Sequence, residues 1–505
     1  MKKFPLLFFF LGIIVLSCNK NNDAPIIEEE QETPVEEAKL PADYPAQDFM
    51  WQAMNSYYFW QADVADLGDD RFDTSEKYVD FLASESDPGE FFYKICNNHI
   101  SVVGEAQAVD RFSVAFENYK DLVNVLSGVS MSNGVEFTLY AFQDSNDIFG
   151  VVNYIMPNSD ASNKQIKRGD AFVGVNGTTL NRDNYIDLLY GENATYTLNM
   201  ADIIDNTVTE NNVEVSLTKV ENFSENPILV SKVIEQNGVK IGYLMYNSFL
   251  ADYDEQLNDV FGNFKSEGIT ELVLDFRYNG GGRVSTAVQI ASSVYGTKTD
   301  ELFLKARYNA KVQAIFTNRE DETNFSDTTF GGVAINELNL KRVHVITTTS
   351  TASASELVIN GLTPYIDVVT IGDKTRGKNE FSITLVDDAS NGFFYDPNTE
   401  ENINPDNQWG IQPLLGRNEN ADGFSDYTTG LLPTLPLEED ISNLGVLGNP
   451  SEPLLALALN HISGETAKYS RQPSMTAELF SSSFEFKGTN NVSSMTGLIK
   501  MKPKD

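Results

Sequence analysis

Two stretches of this chain carry residues whose types and spacing suit acyl-transfer chemistry. The first, Thr347 to Phe381, crowds small residues around Ser353-Ala354-Ser355-Glu356, where a strand pattern gives way to a helix pattern. Such a turn exposes a serine at a helix N-terminus. A serine hydroxyl is a weak nucleophile until a base takes its proton. Histidine is the usual base, but the chain holds only His99, His344 and His461. His344 lies inside an apolar strand pattern and the other two lie outside these stretches, so each reads as structural. Lysine serves where burial lowers its pKa toward neutrality. Lys378 follows Gly377 in a turn, 25 positions beyond Ser353. That spacing leaves room for a helix and a strand that return the lysine beside the serine. It favours Ser353 over Ser355, which then reads as the N-cap of the following helix.

The second stretch is Asp275-Phe276-Arg277-Tyr278-Asn279-Gly280-Gly281-Gly282, between an apolar strand and a helix. Three glycines let the backbone approach a reacting group, and N–H groups at a helix start can face a developing negative charge. A phosphate loop is the competing reading, but no Gly-Lys-Ser/Thr follows and no acidic metal site accompanies it. Asp275 and Arg277 read as fixing the turn.

The elements that must position these groups are legible as patterns. From about residue 226, strands (239–246, 271–276, 343–347, 367–371) alternate with helices (253–265, 286–295, 355–363), which predicts an α/β layer with parallel strands. Residues 43–115 read as helical, with Phe49, Met50, Met54, Tyr57 and Tyr58 at helical spacing and Asp73-Thr74-Ser75-Glu76 as a helix start. Residues 116–225 read as β-rich, with strands at 135–142, 150–156 and 171–175, short helices at 160–166 and 183–189, and a hairpin turn at Asn176-Gly177. Residues 466–505 are Ser-, Lys- and Met-rich and read as a peripheral tail. The net charge of −37 opposes nucleic-acid binding, which needs a basic surface. With only Cys18 and Cys96, no disulfide framework or zinc ligand set is available, and Cys96 reads as a small core residue. No metal or other cofactor is implied.

These motifs resemble the carboxyl-terminal processing (tail-specific) serine proteases, over about 43–465. The most specific parts are the Asp275–Gly282 stretch, Ser353–Glu356 and Gly372-Asp373-Lys374-Thr375-Arg376-Gly377-Lys378. Asp110-Arg111-Phe112-Ser113 matches a further family segment. The resemblance implies a crotonase/ClpP-like α/β protease core at 226–465, an N-terminal helical subdomain at 43–115 and an inserted PDZ-like domain at 116–225. It implies Ser353 as nucleophile, Lys378 as general base, and N–H groups of Gly280, Gly281 and Ala354 as the oxyanion hole. Family members commonly orient the lysine with a glutamine four residues on; here Ser382 stands there, with Glu380 nearby. Gly134, Val135, Glu136 and Phe137 lie where such PDZ domains bind a peptide carboxylate. A spacer that binds no peptide is the other reading of that domain.

At the start, Met1-Lys2-Lys3, an apolar run to Leu16 and Ser17-Cys18 describe an export signal. Val15-Leu16-Ser17-Cys18 resembles a bacterial lipobox, the alternative being an ordinary signal peptide with an incidental cysteine. The expectation is a signal peptide at 1–17, lipidation of Cys18, and an acidic tether over 18–42 holding the folded body at the bacterial cell envelope, periplasmic or at the outer membrane or cell surface. The expected function is a serine endopeptidase cleaving protein or peptide substrates near their C-termini. The alternative is a catalytically weak or inactive peptide-binding envelope scaffold.

Overall fold

The computed structural model describes residues 40–191, 193–465 and 478–483. The export signal, Cys18, nearly all of the tether and most of the C-terminal tail lie outside the described residues.

The centre of the fold is a six-stranded sheet in the order Ile228–Gln236, Val239–Tyr246, Glu271–Asp275, Arg342–Thr347, Asp367–Gly372, Leu435–Pro436. Its first pair is antiparallel and the other four pairings are parallel. The apolar runs that mark these strands follow from burial on both faces. On one face Leu244, Leu274 and Val345 pack with Phe261, Ala291 and Leu357 of the helices Asp254–Glu267, Val284–Tyr295 and Ala354–Leu362. On the other, Tyr243, Val273, Ile346 and Val369 pack with Leu454, Leu455 and Leu459 of the helix Pro453–Ser463. Each fully buried Leu or Phe here contributes about 1.5–3 kcal/mol relative to exposure.

The N-terminal helices Pro45–Tyr57, Ser75–Leu82 and Pro88–Lys94 form where the aromatic stripe and the Thr74 cap placed them. Their buried Phe49, Met54 and Phe91 share one core with Phe112, Ile411 and Leu414. Cys96 is buried in the same core. Residues 135–218 form a second sheet, of strands Val135–Ala141, Ile148–Ile155, Ala171–Val175, Thr195–Ile204 and Thr207–Thr218, with the short Thr178–Thr179 beside the third. Two local readings need correction. The helix expected over 160–166 is a single 3-10 turn, Ala161–Asn163, and that expected over 183–189 is one wide turn, Ile186–Tyr190. Both segments are too short to nucleate regular helix without tertiary support. The tail is not wholly peripheral: Glu478–Ser482 adds a strand to the outer edge of Val135–Ala141.

Candidate active site

The chemically suggestive stretches meet because three strands do. Glu271–Asp275, Arg342–Thr347 and Asp367–Gly372 are adjacent and parallel, so their carboxyl ends open onto one edge, the usual place for ligands in such sheets. The turns that follow are tied to each other. Thr351 Oγ1 donates to Phe276 O at 2.8 Å, and the Thr348 hydroxyl donates to Arg277 O. The Ala352 N–H donates to Asn279 O at 3.0 Å, and the Arg376 N–H to Thr351 O at 2.9 Å.

Ser353, not Ser355, is the N-cap residue of the helix Ala354–Leu362. Its backbone sits at φ 58°, ψ −114°, a conformation a side chain rarely adopts, which costs about 1–3 kcal/mol and persists only where its surroundings hold it. Ser355 lies one residue inside the helix, its hydroxyl donating to Asn279 O at 3.1 Å, so the capping role expected for it is corrected.

Glu356 is the hub that holds the serine. It is fully buried and accepts four hydrogen bonds. Oε2 takes the N–H of Ser353 at 2.8 Å and that of Lys378 at 2.9 Å, while Oε1 takes the N–H of Gly377 at 2.7 Å and the Thr375 hydroxyl at 2.5 Å. One carboxylate oxygen thus bridges the backbones of Ser353 and Lys378. Ser-Ala-Ser-Glu is the spacing of a capping box, so this contact had a visible signal in the sequence.

Lys378 is 1% exposed, and its ammonium lies over the Phe112 ring, 5.1 Å from the centroid. Burial brings its pKa down to about 8, against the nearby charges of Glu380, Asp110 and Glu356, which favour the protonated form. The desolvation penalty therefore outweighs three carboxylates. Phe112 is fixed from the N-terminal region. Asp110 Oδ1 accepts the N–H groups of Phe112 and Ser113 at 3.1 and 2.9 Å, and Asp110 Oδ2 accepts the Tyr58 hydroxyl at 2.6 Å. Arg111 crosses to donate to Gly377 O at 2.6 Å. Phe112 was not predicted at the site; its only signal was the matching Asp110–Ser113 segment.

The two residues considered for orienting the lysine have other partners. Glu380 pairs with Arg417 at 3.1 Å, and the Ser382 hydroxyl donates to Gln412 Oε1 at 2.9 Å. Gln412, on the strand Gly410–Gln412, brings a buried glutamine to Ser382 from 30 positions further along the chain. His99 is buried against Ser113 O at 2.9 Å, and His344 and His461 face each other at 2.9 Å, consistent with structural roles.

Gly281 lies directly against the serine. A Cβ there would sit 2.7 Å from Ser353 Cβ and 2.9 Å from Ala354 N, and its φ is +108°. Its N–H, however, is bonded to Asn279 Oδ1 at 2.8 Å. Of the three donors expected for an oxyanion, Gly280 and Ala354 are the two that donate to no atom among the described residues, and Gly281 is corrected to a spacing role. Gly281→Ala is expected to lower kcat by about 10²-fold, since a misplacement near 1 Å at the reacting group has that effect. It should also lower the thermal midpoint. Steady-state kinetics and a melt measure both.

Behind the glycine turn is a buried ion network. Arg277, fully buried, pairs with Asp275 at 2.8 Å, Glu452 at 2.7 Å and Glu439 at 2.9 Å. Arg168, from the second sheet's region, donates to the Tyr278 hydroxyl and to Glu439, both at 2.6 Å. Burial would raise the Glu439 carboxyl, but the two guanidinium groups bring it down to about 2.

The expected carboxylate-binding loop is also corrected. The Gly134 N–H donates to Ser132 Oγ and the Val135 N–H to Asn133 Oδ1, each at 3.0 Å. The Phe137 N–H donates to Ser483 Oγ at 3.0 Å, and Glu136, fully buried, adds a carboxyl of its own. The Gly134 and Val135 donors are thus engaged within the loop itself, while the Phe137 donor is taken by the 478–483 segment.

Ser353, Lys378 and the glycine turn lie within a stretch that matches a known family profile. The profile described as "Peptidase family S41" matches residues 240–415, and "Peptidase S41 N-terminal domain" matches 46–114. A "Carboxyl-terminal-processing protease" of Picosynechococcus sp. is 28% identical over 153 residues, 30% of this chain and 32% of its own length. A "Probable CtpA-like serine protease" of Staphylococcus aureus is 23% identical over 275 residues, 53% of this chain and 48% of its own. The chain thus spans about half or less of these curated relatives. The crystal structure of a "Putative S41 protease" from Bacteroides fragilis NCTC 9343 superposes with a TM-score of 0.62 at 26% identity, covering 83% of this chain and 97% of that one.

Proposed function

From a chain that carries the peptidase and N-terminal domains of peptidase family S41, we infer a serine endopeptidase in which Ser353 is the nucleophile and Lys378 the general base. The observation that carries this reading is the Glu356 bridge: one carboxylate oxygen ties the backbone of a buried, pKa-lowered lysine to that of a strained serine at a helix N-terminus.

Neutral Lys378 accepts the Ser353 hydroxyl proton as the serine oxygen bonds to the scissile carbonyl carbon. The carbonyl oxygen becomes an oxyanion facing the N–H groups of Gly280 and Ala354, where the helix N-terminus adds positive potential. The protonated Lys378 then gives its proton to the departing amine as the C–N bond breaks. Water, deprotonated by the same lysine, attacks the acyl carbon, and the lysine returns that proton to the Ser353 oxygen as the acyl–oxygen bond breaks. Glu380 acts on Lys378 through charge, holding its pKa from falling further. The substrate class is unfolded protein or extended peptide, with the 116–225 region as a PDZ-like recognition module. Lipidation at Cys18 places the enzyme at the cell envelope, a reading supported by the lipobox-like run and the acidic segment after it.

Incubating the mature chain with quenched-fluorescence unfolded casein tests this. Ser353→Ala is expected to reduce cleavage by about 10³-fold or more, while Ser355→Ala, whose hydroxyl faces Asn279 O, retains most of it. Cleavage untouched by Ser353→Ala would overturn the assignment.

A further inference from the structure

The strand Glu478–Ser482 lies antiparallel on Val135–Ala141, with Leu479 opposite Tyr140 and Ser482 opposite Thr138, so it runs toward the Ser132–Val135 loop. Phe480 seats in the groove beside that strand. Its ring meets Tyr185 edge-on at 5.2 Å, the Arg182 guanidinium lies 4.8 Å from its centroid, and it packs on the apolar core of the second sheet. Three residues on, Ser483 is buried, its hydroxyl within 2.8 Å of Glu136 Oε2 and 3.0 Å of Phe137 O while it accepts the Phe137 N–H. A cavity of about 240 Å³ adjoins Ser483, lined also by Ser132, Asn133, Leu189 and Lys219.

This chemistry differs from that of a site for a chain terminus. The Gly134 and Val135 donors that would hold a terminal carboxylate are bonded to Ser132 and Asn133, and the Glu136 carboxyl lies buried against the Ser483 hydroxyl. A buried carboxylate against a hydroxyl selects a donor side chain, and the cavity leaves a peptide room to run on. We propose that this groove binds internal, extended peptide segments carrying an aromatic residue and, three positions later, a hydroxyl residue, and that the chain's own 478–483 segment is its resident, competing ligand. The inference deepens the reading of 116–225 as a peptide-recognition module and is independent of which serine cleaves.

The test uses the mature chain with Ser353→Ala, so that binding is read without cleavage. The probe is fluorescein-labelled Glu-Leu-Phe-Ser-Ser-Ser with an amidated C-terminus, followed by anisotropy. Phe480→Ala in the protein weakens the resident strand and is expected to tighten probe binding about tenfold. The same peptide with a free C-terminal carboxylate is expected to bind about tenfold more weakly than the amide, and Glu136→Gln to narrow that gap. The paired cysteines Thr138→Cys and Ser482→Cys cross-link the resident strand. When they are oxidised the probe should not bind, and reduction should restore binding, which separates occlusion from misfolding. Tighter binding of the free carboxylate, or probe binding indifferent to the cross-link, would overturn the proposal. Failure of Ser353→Ala to stop casein cleavage would overturn the catalytic assignment and leave these binding results standing.

Discussion

Lys378→Met should remove about 10⁴-fold of kcat, the upper range for losing a positioned general base, and at the same time make the protein more stable at neutral pH. The two effects share one cause. Burial holds the Lys378 pKa near 8, below the 10.5 of a solvated lysine. Between those values the unfolded chain binds a proton that the folded chain does not, so stability rises with pH across that window. Below pH 8 the folded state carries the full penalty, on the order of 3 kcal/mol at most. Methionine fills similar volume without a charge to desolvate. The variant should therefore melt higher than the parent at pH 7, with the advantage shrinking toward pH 10. In the parent, kcat/KM should climb with pH and level off above about 8, as the neutral amine becomes the dominant form. Equal melting points for parent and variant at pH 7, or a rate that falls through pH 8, would contradict this account.

Glu356→Gln should lower kcat by about 10²-fold with little change in KM, because the reacting groups lose their mutual placement while the substrate's contacts stay. The carboxylate faces four donors, two on each oxygen. A glutamine offers one oxygen and one NH₂, so whichever way it turns, two donors face another donor. Each buried donor left unpaired costs about 1–3 kcal/mol. If Oε2 is the side lost, the unpaired groups are the N–H groups of Ser353 and Lys378 themselves. Glu356→Ala should be worse, adding a cavity under the helix start and lowering the melting midpoint further. A large rise in KM at unchanged kcat would mean that Glu356 shapes substrate binding instead.

The sequence exposed what is local and left hidden what depends on distant partners. Ser353, Lys378 and the glycine turn stand at the ends of apolar strands, and parallel neighbours open their carboxyl ends on the same edge, so strand order alone brings them together. Glu356 stands as the fourth residue of a capping pattern that begins at Ser353, but the cap was expected two residues late, at Ser355, and the backbone at φ 58° shows that Ser353 is the residue that leaves the helix. Phe112 reaches Lys378 across 266 positions and Gln412 reaches Ser382 across 30, with no periodicity to announce either. The Ser-rich 478–483 segment has no strand-like alternation of its own; it becomes a strand because a neighbouring edge supplies the pairing. The expected carboxylate loop failed for a converse reason, since Ser132 and Asn133 are short polar residues that satisfy their own backbone.

The ion cluster behind the glycine turn sets a rule for recombination. Arg168, Tyr278 and Glu439 belong to three separated stretches of the gene, yet they share one set of counter-charges. A chimera that imports a foreign 116–225 region with a neutral residue at position 168 would strand Glu439 with half of its compensation, next to the turn that abuts Ser353. Such a graft inherits its partner's surface but not its counter-ion, so the 116–225 region and the sheet that carries Arg277 can be exchanged between relatives only as matched sets.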